Sequence, residues 1–153
     1  MDGTPPRVLF VCVRNAGKSQ LASGLMQRTA GGSVAVASAG TSPGSAVNAL
    51  SAQALAEVGV DITAARPRAV TAGLVADADV VVTLGAEAQL DPAVVAAAAP
   101  GTRFETWVTD EPSARGIDGL ERMRLVRDDI DARVTDLYRR LTGRLPGAGG
   151  AGR

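Results

Sequence analysis

Four short apolar stretches, at residues 8–11, 34–39, 79–84 and 103–107, alternate with segments whose apolar side chains recur at helical spacing. Strands that alternate with helices pair in parallel, because each helix carries the chain back to where the next strand begins. Val8-Leu9-Phe10-Val11 and Val80-Val81-Val82 are continuous apolar runs rather than alternating ones, as expected of strands covered on both faces. The pattern predicts an α/β fold: a single domain of three layers, with a central four-stranded parallel sheet and helices on both faces. Ligands in such folds bind beyond the carboxyl ends of the strands.

The intervening helices are marked by their punctuation. Residues 19–29 carry Leu21, Leu25 and Met26 at helical spacing, and residues 46–58 end at Gly59, a good C-terminal stop. Residues 71–76 suit a short helix. Asp91 and Pro92 can cap and open another, running to residue 99 before Pro100 halts it. In the last helix Leu120, Met123, Val126, Ile130, Val134, Leu137 and Leu141 form one stripe, and its many charges read as the solvated opposite face. The folded domain is expected at residues 7–145, after a flexible N-terminus (1–6) and before a disordered Gly/Ala-rich tail (146–153). The formal net charge is zero, which gives no field for nucleic acid or an anionic membrane. No apolar run approaches the roughly 18 residues of a spanning helix, and the first residues do not resemble a signal peptide. A cytoplasmic protein is expected.

The chemistry concentrates at the end of the first strand. Cys12 is the one cysteine in the chain, and Lys18 is the one lysine beside fifteen arginines. The segment Cys12-Val13-Arg14-Asn15-Ala16-Gly17-Lys18-Ser19 joins a strand to a helix, so its backbone N–H groups can surround an anion. Those groups favour a thiolate, and they also bind a tetrahedral oxyanion and stabilise its developing charge. Lys18 adds a positive charge. The Ser19 hydroxyl can donate to the Cys12 sulfur, Asn15 can bond across the loop, and Arg14 stands on the rim. The chain has no histidine, which removes any imidazole base and makes a zinc site improbable. Gly17-Lys18-Ser19 superficially matches a nucleotide-binding loop, but that pattern requires glycine at position 12, where the chain has Cys12.

Together these segments resemble the low-molecular-weight protein tyrosine phosphatase family, and more closely its arsenate reductase branch. Residues 12–19 resemble that family's Cys-X5-Arg-Ser loop. Ser38-Ala39-Gly40-Thr41, Asp79-Val80-Val81-Val82-Thr83-Leu84-Gly85, Trp107-Val108-Thr109-Asp110-Glu111-Pro112 and Arg127-Asp128-Asp129-Ile130 resemble later segments in the same order. The resemblance implies that Cys12 is the nucleophile and that residues 13–18 bind the oxyanion. It also implies that Asn15 and Ser38 support the loop and that Glu111, with Asp110 beside it, is the candidate general acid.

Three departures shape the expectation. Lys18 stands where the family has arginine, a point charge in place of a planar fork. No resolving cysteine follows Gly85, so an internal disulfide relay is impossible and an external thiol must act. Residues 41–48 and the stretch after Pro112 lack the aromatics that would grip a phenol ring. The Ala/Arg/Val-rich composition resembles that of high-GC actinobacterial proteins, whose small thiol is mycothiol. The resemblance therefore implies an arsenate reductase of arsenate–mycothiol transferase type. Mycothiol would be a cosubstrate, a mycoredoxin would act on the released adduct, and no metal or bound cofactor would be needed. A low-molecular-weight protein tyrosine phosphatase and a non-catalytic oxyanion-binding module are the alternatives.

Overall fold

A computed structural model describes residues 4–144. The expectations for residues 1–3 and for the tail at 146–153 lie outside the described residues. The strands are β1 (Arg7–Cys12), β2 (Ala35–Gly40), β3 (Val80–Leu84) and β4 (Arg103–Trp107), and the helices are α1 (Lys18–Ala30), α2 (Ala49–Ala56), α3 (Ala72–Ala76), α4 (Pro92–Val95) and α5 (Gly119–Thr142). The sheet is parallel throughout, in the order β2-β1-β3-β4. Phe10 lies beside Ser38 on one side and Val82 on the other, and Cys12 lies beside Gly40.

Side chains of the sheet alternate between two apolar layers. Val8, Phe10, Val80, Val82 and Leu84 pack under α1, α2 and α5 through Leu21, Leu25, Leu55, Ile130 and Leu137. Leu9, Val11 and Val81 face the other way, against Val75, Leu74 and Val94 of α3 and α4. The Phe10 and Trp107 rings meet at a tilt, with centroids 5.7 Å apart, in the first layer. Three layers result. The chain leaves β1 through α1 on one face and leaves β3 through α4 on the other. A crevice opens where the crossovers part, beyond the carboxyl ends of β1 and β3, and Cys12 ends β1 there.

Some elements differ from the sequence expectation. α2 begins at Ala49 rather than residue 46, because Asn48 is its cap and its side chain accepts from the Ser51 N–H. The Asn48 N–H is committed to the Ala16 carbonyl, so residues 46–48 belong to the loop beside Cys12. α4 is one turn only. Its alanine-rich continuation buries no side chain, and tighter bonds such as Ala97 N–H to the Val94 carbonyl replace the helix. A 3₁₀ turn at Pro112–Arg115 follows β4. The apolar stripe of α5 is buried from Met123 to Tyr138. Its charges are not simply solvated: Arg124 and Arg127 clasp Glu57 just after α2, and Arg140 clasps Glu105 on β4.

Candidate active site

The loop after β1 is shaped by where its carbonyls go. The carbonyl of Cys12 accepts from Thr41 N–H at 3.0 Å, that of Val13 from Ser42 at 2.7 Å, that of Arg14 from Gly44 at 2.9 Å, and that of Ala16 from Asn48 at 2.8 Å. The Asn15 carbonyl accepts from the Gln20 side chain at 3.0 Å. Every carbonyl from Cys12 to Ala16 is thus bonded outside the curve of the loop. The N–H groups of residues 13–17 have no protein acceptor among the described residues. The Gly17 cap of α1 has no side chain to satisfy the first helical N–H groups either. A concave row of unsatisfied donors at a helix start is the geometry that binds a tetrahedral anion.

Two residues make so tight a loop possible. Asn15 is fully buried and adopts φ +52°, a left-handed conformation that asparagine tolerates better than most residues. Gly40 must lack a side chain, because a Cβ there would stand 2.7 Å from the Val13 carbonyl oxygen and 2.9 Å from the Asn15 nitrogen. The backbone of β2 therefore lies directly against the loop.

A chain of hydrogen bonds fixes the polarity of the site. The Arg68 N–H can only donate, and it reaches Asn15 Oδ1 at 3.0 Å. That contact orients the amide so that Nδ2 donates to Ser19 Oγ, at 2.7 Å. With Ser19 already accepting, its own proton is free for Cys12 Sγ, 2.9 Å away. A backbone amide 53 residues from Asn15 in sequence thereby directs a hydroxyl proton at the sulfur. The hydroxyl of Ser19 and the sulfur of Cys12 are thus held in direct contact at the end of β1.

The acids separate cleanly. Glu111, immediately before the 3₁₀ turn, points back to the loop and pairs with Lys18 Nζ through Oε1. Asp110 turns away. Arg115 grips it with bonds of 2.8 and 3.1 Å, and this guanidinium holds the Asp110 carboxyl below its ordinary range. Asp110 is therefore held by the turn, and Glu111 is the carboxylate that faces the loop through Lys18. Ser38, expected to support the loop, does not reach it by any described side-chain hydrogen bond. Its carbonyl accepts from Arg68 Nε at 3.1 Å, and support comes from Gly40, Thr41 and Ser42 instead. In the sheet register Ser38 lies beside Phe10, two residues before Cys12. Arg14 is exposed and lies across Gly44, where a Cβ would meet its Nε at 3.4 Å. The sequence also gave no sign of Arg68 as a contributor, because it acts through its backbone.

A loop of unsatisfied N–H groups, with Cys12 and Ser19 in contact at its start and Glu111 paired to Lys18 at its end, stands at the carboxyl end of β1 in a four-stranded parallel sheet. The family model "Low molecular weight phosphotyrosine protein phosphatase" matches residues 7–145, and the chain belongs to that family. A glutaredoxin arsenate reductase from a Synechocystis species is 31% identical over 89% of this chain and 98% of its own. The thioredoxin-dependent arsenate reductase Cg_ArsC1' of Corynebacterium glutamicum superimposes with a TM-score of 0.74 at 33% identity, covering 92% of this chain. This chain spans 64% of that longer one. An arsenate reductase in its phosphate-binding state superimposes with a TM-score of 0.74 at 30% identity, covering 90% of this chain and 99% of its own. Among the described residues, no helix is long and apolar enough to cross a membrane, and no group of three metal-ligating side chains is present.

Proposed function

We propose that this protein is an arsenate reductase in which Cys12 acts alone and an external small thiol, of mycothiol type, removes the arsenic. The observation that carries the proposal is that the chain's one sulfur nucleophile sits at the foot of the N–H cradle with a hydroxyl proton aimed at it. The arsenate reductases among its relatives support the substrate. One of them is a glutaredoxin arsenate reductase and another is thioredoxin-dependent, so the reductant varies within the group.

Arsenate enters the cradle and its oxygens accept from the N–H groups of residues 13–18. Lys18 supplies the full positive charge. The Cys12 thiolate attacks arsenic, and one oxygen departs as water after Glu111 protonates it. The incoming anion competes with Glu111 for Lys18. A second thiolate then attacks the arsenic, the bond to Cys12 breaks, and its electron pair returns to Cys12. The arsenic leaves as an arseno-thiol adduct, still pentavalent. A separate redoxin, of mycoredoxin kind, reduces it. Such chemistry belongs in a reducing compartment, consistent with a cytoplasmic site.

A phosphatase reading has one observation in its favour: Glu111 faces the loop, where it could equally protonate an ester oxygen. Paired assays separate the two. Purified protein with mycothiol and a mycoredoxin should reduce arsenate, and Cys12→Ser should abolish that turnover. Hydrolysis of p-nitrophenyl phosphate without them should be weak. Robust hydrolysis with no arsenate turnover would establish the phosphatase instead. Lys18→Arg discriminates further, since a fork that grips two oxygens should raise hydrolysis if lysine merely weakens a phosphatase.

A further inference from the structure

Beside the reactive loop lies a cavity of about 360 Å³, far larger than a tetrahedral oxyanion needs, between the loop, residues 46–51 and the first half of α5. Three cations line it, Arg14, Lys18 and Arg122, and no carboxylate does. Its apolar part is formed by Met123 and Val126, with Ala46 exposed at the rim. Lys18 is paired with Glu111, but neither Arg14 nor Arg122 pairs with a carboxylate among the described residues. More telling, Arg122 Nε is buried and has no hydrogen-bond partner among the described residues. A buried donor left without an acceptor is costly, so its presence here needs a reason. An acceptor supplied from outside provides one.

We propose that this cavity is the docking pocket for the body of the external thiol, a small molecule rich in hydroxyl, amide or carboxylate oxygens. The proposal rests on the external-thiol reading above. A wall with three cations and no carboxylate complements such a body, and the apolar part suits its carbon skeleton. Because Gly17 and Lys18 belong both to this cavity and to the loop around Cys12, a thiol seated here holds its sulfur at the loop. In the transfer step its thiolate forms a bond to arsenic, the Cys12–arsenic bond breaks, and the electron pair stays on Cys12. The oxidation state of arsenic does not change, so no further reductant is required for this step.

The test is the rate of arseno-thiol formation with the redoxin omitted, followed by mass spectrometry at varied thiol concentration. Arg122→Met should raise the KM for mycothiol by about 10-fold or more, the loss of one charge-assisted hydrogen bond. It should leave the KM for arsenate, and the rate with ethanethiol, unchanged. Arg122→Lys should recover part of the loss, and Ala46→Trp, which fills the rim at an exposed position, should reproduce it without disturbing the fold. Glutathione serves as a carboxylate-bearing comparison, and whichever thiol loses more on Arg122→Met identifies the acceptor that the cations prefer. Unchanged KM values for both thiols in both variants, or parallel losses with ethanethiol and arsenate, would overturn the pocket. If wild-type protein transfers arsenic to no thiol, the external-thiol reading fails, and the pocket falls with it.

Discussion

Ser19 is the residue whose role is most fully determined by its neighbours. Arg68 orients Asn15, Asn15 donates to Ser19, and the one hydroxyl proton is left for Cys12. Replacing Ser19 with alanine removes that proton and strands the Asn15 amide in a buried position. About 1.5–3 kcal/mol of thiolate stabilisation is at stake, so arsenate turnover should fall by roughly 10- to 150-fold with little change in arsenate KM. Steady-state kinetics check this, and unchanged turnover would refute the relay. Gly40 is the second sharply defined position. A methyl group there collides with the Val13 and Asn15 backbone, which cannot yield without opening the loop. Gly40→Ala should weaken phosphate binding, measured by calorimetry, and cost about 1–3 kcal/mol of stability. The sequence disclosed Cys12, Asn15, Lys18 and Ser19 because each bears distinctive chemistry within one short segment. It could not separate Asp110 from Glu111. That difference lies in a partner, Arg115, whose reach depends on a 3₁₀ turn that no periodicity announces.

At the scale of elements, α5 is held by more than its apolar stripe. Arg124 and Arg127 both reach Glu57, and Arg127 also donates to the Ala54 carbonyl near the end of α2. The Arg124 hydrogen bond is the largest influence on Glu57, whose pKa is pulled from 4.5 to about 2. A carboxylate whose folded pKa is depressed stabilises the fold above its unfolded value and loses that contribution as pH falls through the folded one. The clasp should therefore act fully above pH 4.5 and fade toward pH 2. Urea denaturation across that window should show a smaller decline in stability for Glu57→Gln than for wild type, and equal slopes would contradict the clasp. The stripe on α5 was legible because helical periodicity survives without any knowledge of neighbours. The clasps were not, since a run of Arg, Asp and Glu looks the same whether solvated or bonded across to another element. α2 and α4 were overextended for the same reason. Local propensity favours helix in both, but Asn48 is claimed by the loop, and after Val95 only Ala98 packs on the core while the chain tightens into shorter-range bonds.

For the whole molecule, the alternation of strand and helix was sufficient to specify the parallel sheet, and the sheet in turn placed Cys12 in the crevice. Val82 shows how firmly that frame is set: it is fully buried on the central β3, under α5. Shortening it to alanine should cost about 2–4 kcal/mol, read from the shift of the denaturation midpoint. What the frame does not specify is the molecule that relieves Cys12 of its arsenic. The composition of the chain narrows that question, since one cysteine cannot form a disulfide within the chain, and the external thiol we propose is the part left to experiment. The most direct test is mass spectrometry of the protein incubated with arsenate and mycothiol, with no redoxin present. The arsenic should appear in solution as a thiol–arsenate adduct while the protein returns to its unmodified mass, ready for another cycle. Arsenite released without any external thiol, or arsenic retained on Cys12 whatever thiol is added, would contradict a cysteine that acts alone and hands its arsenic on.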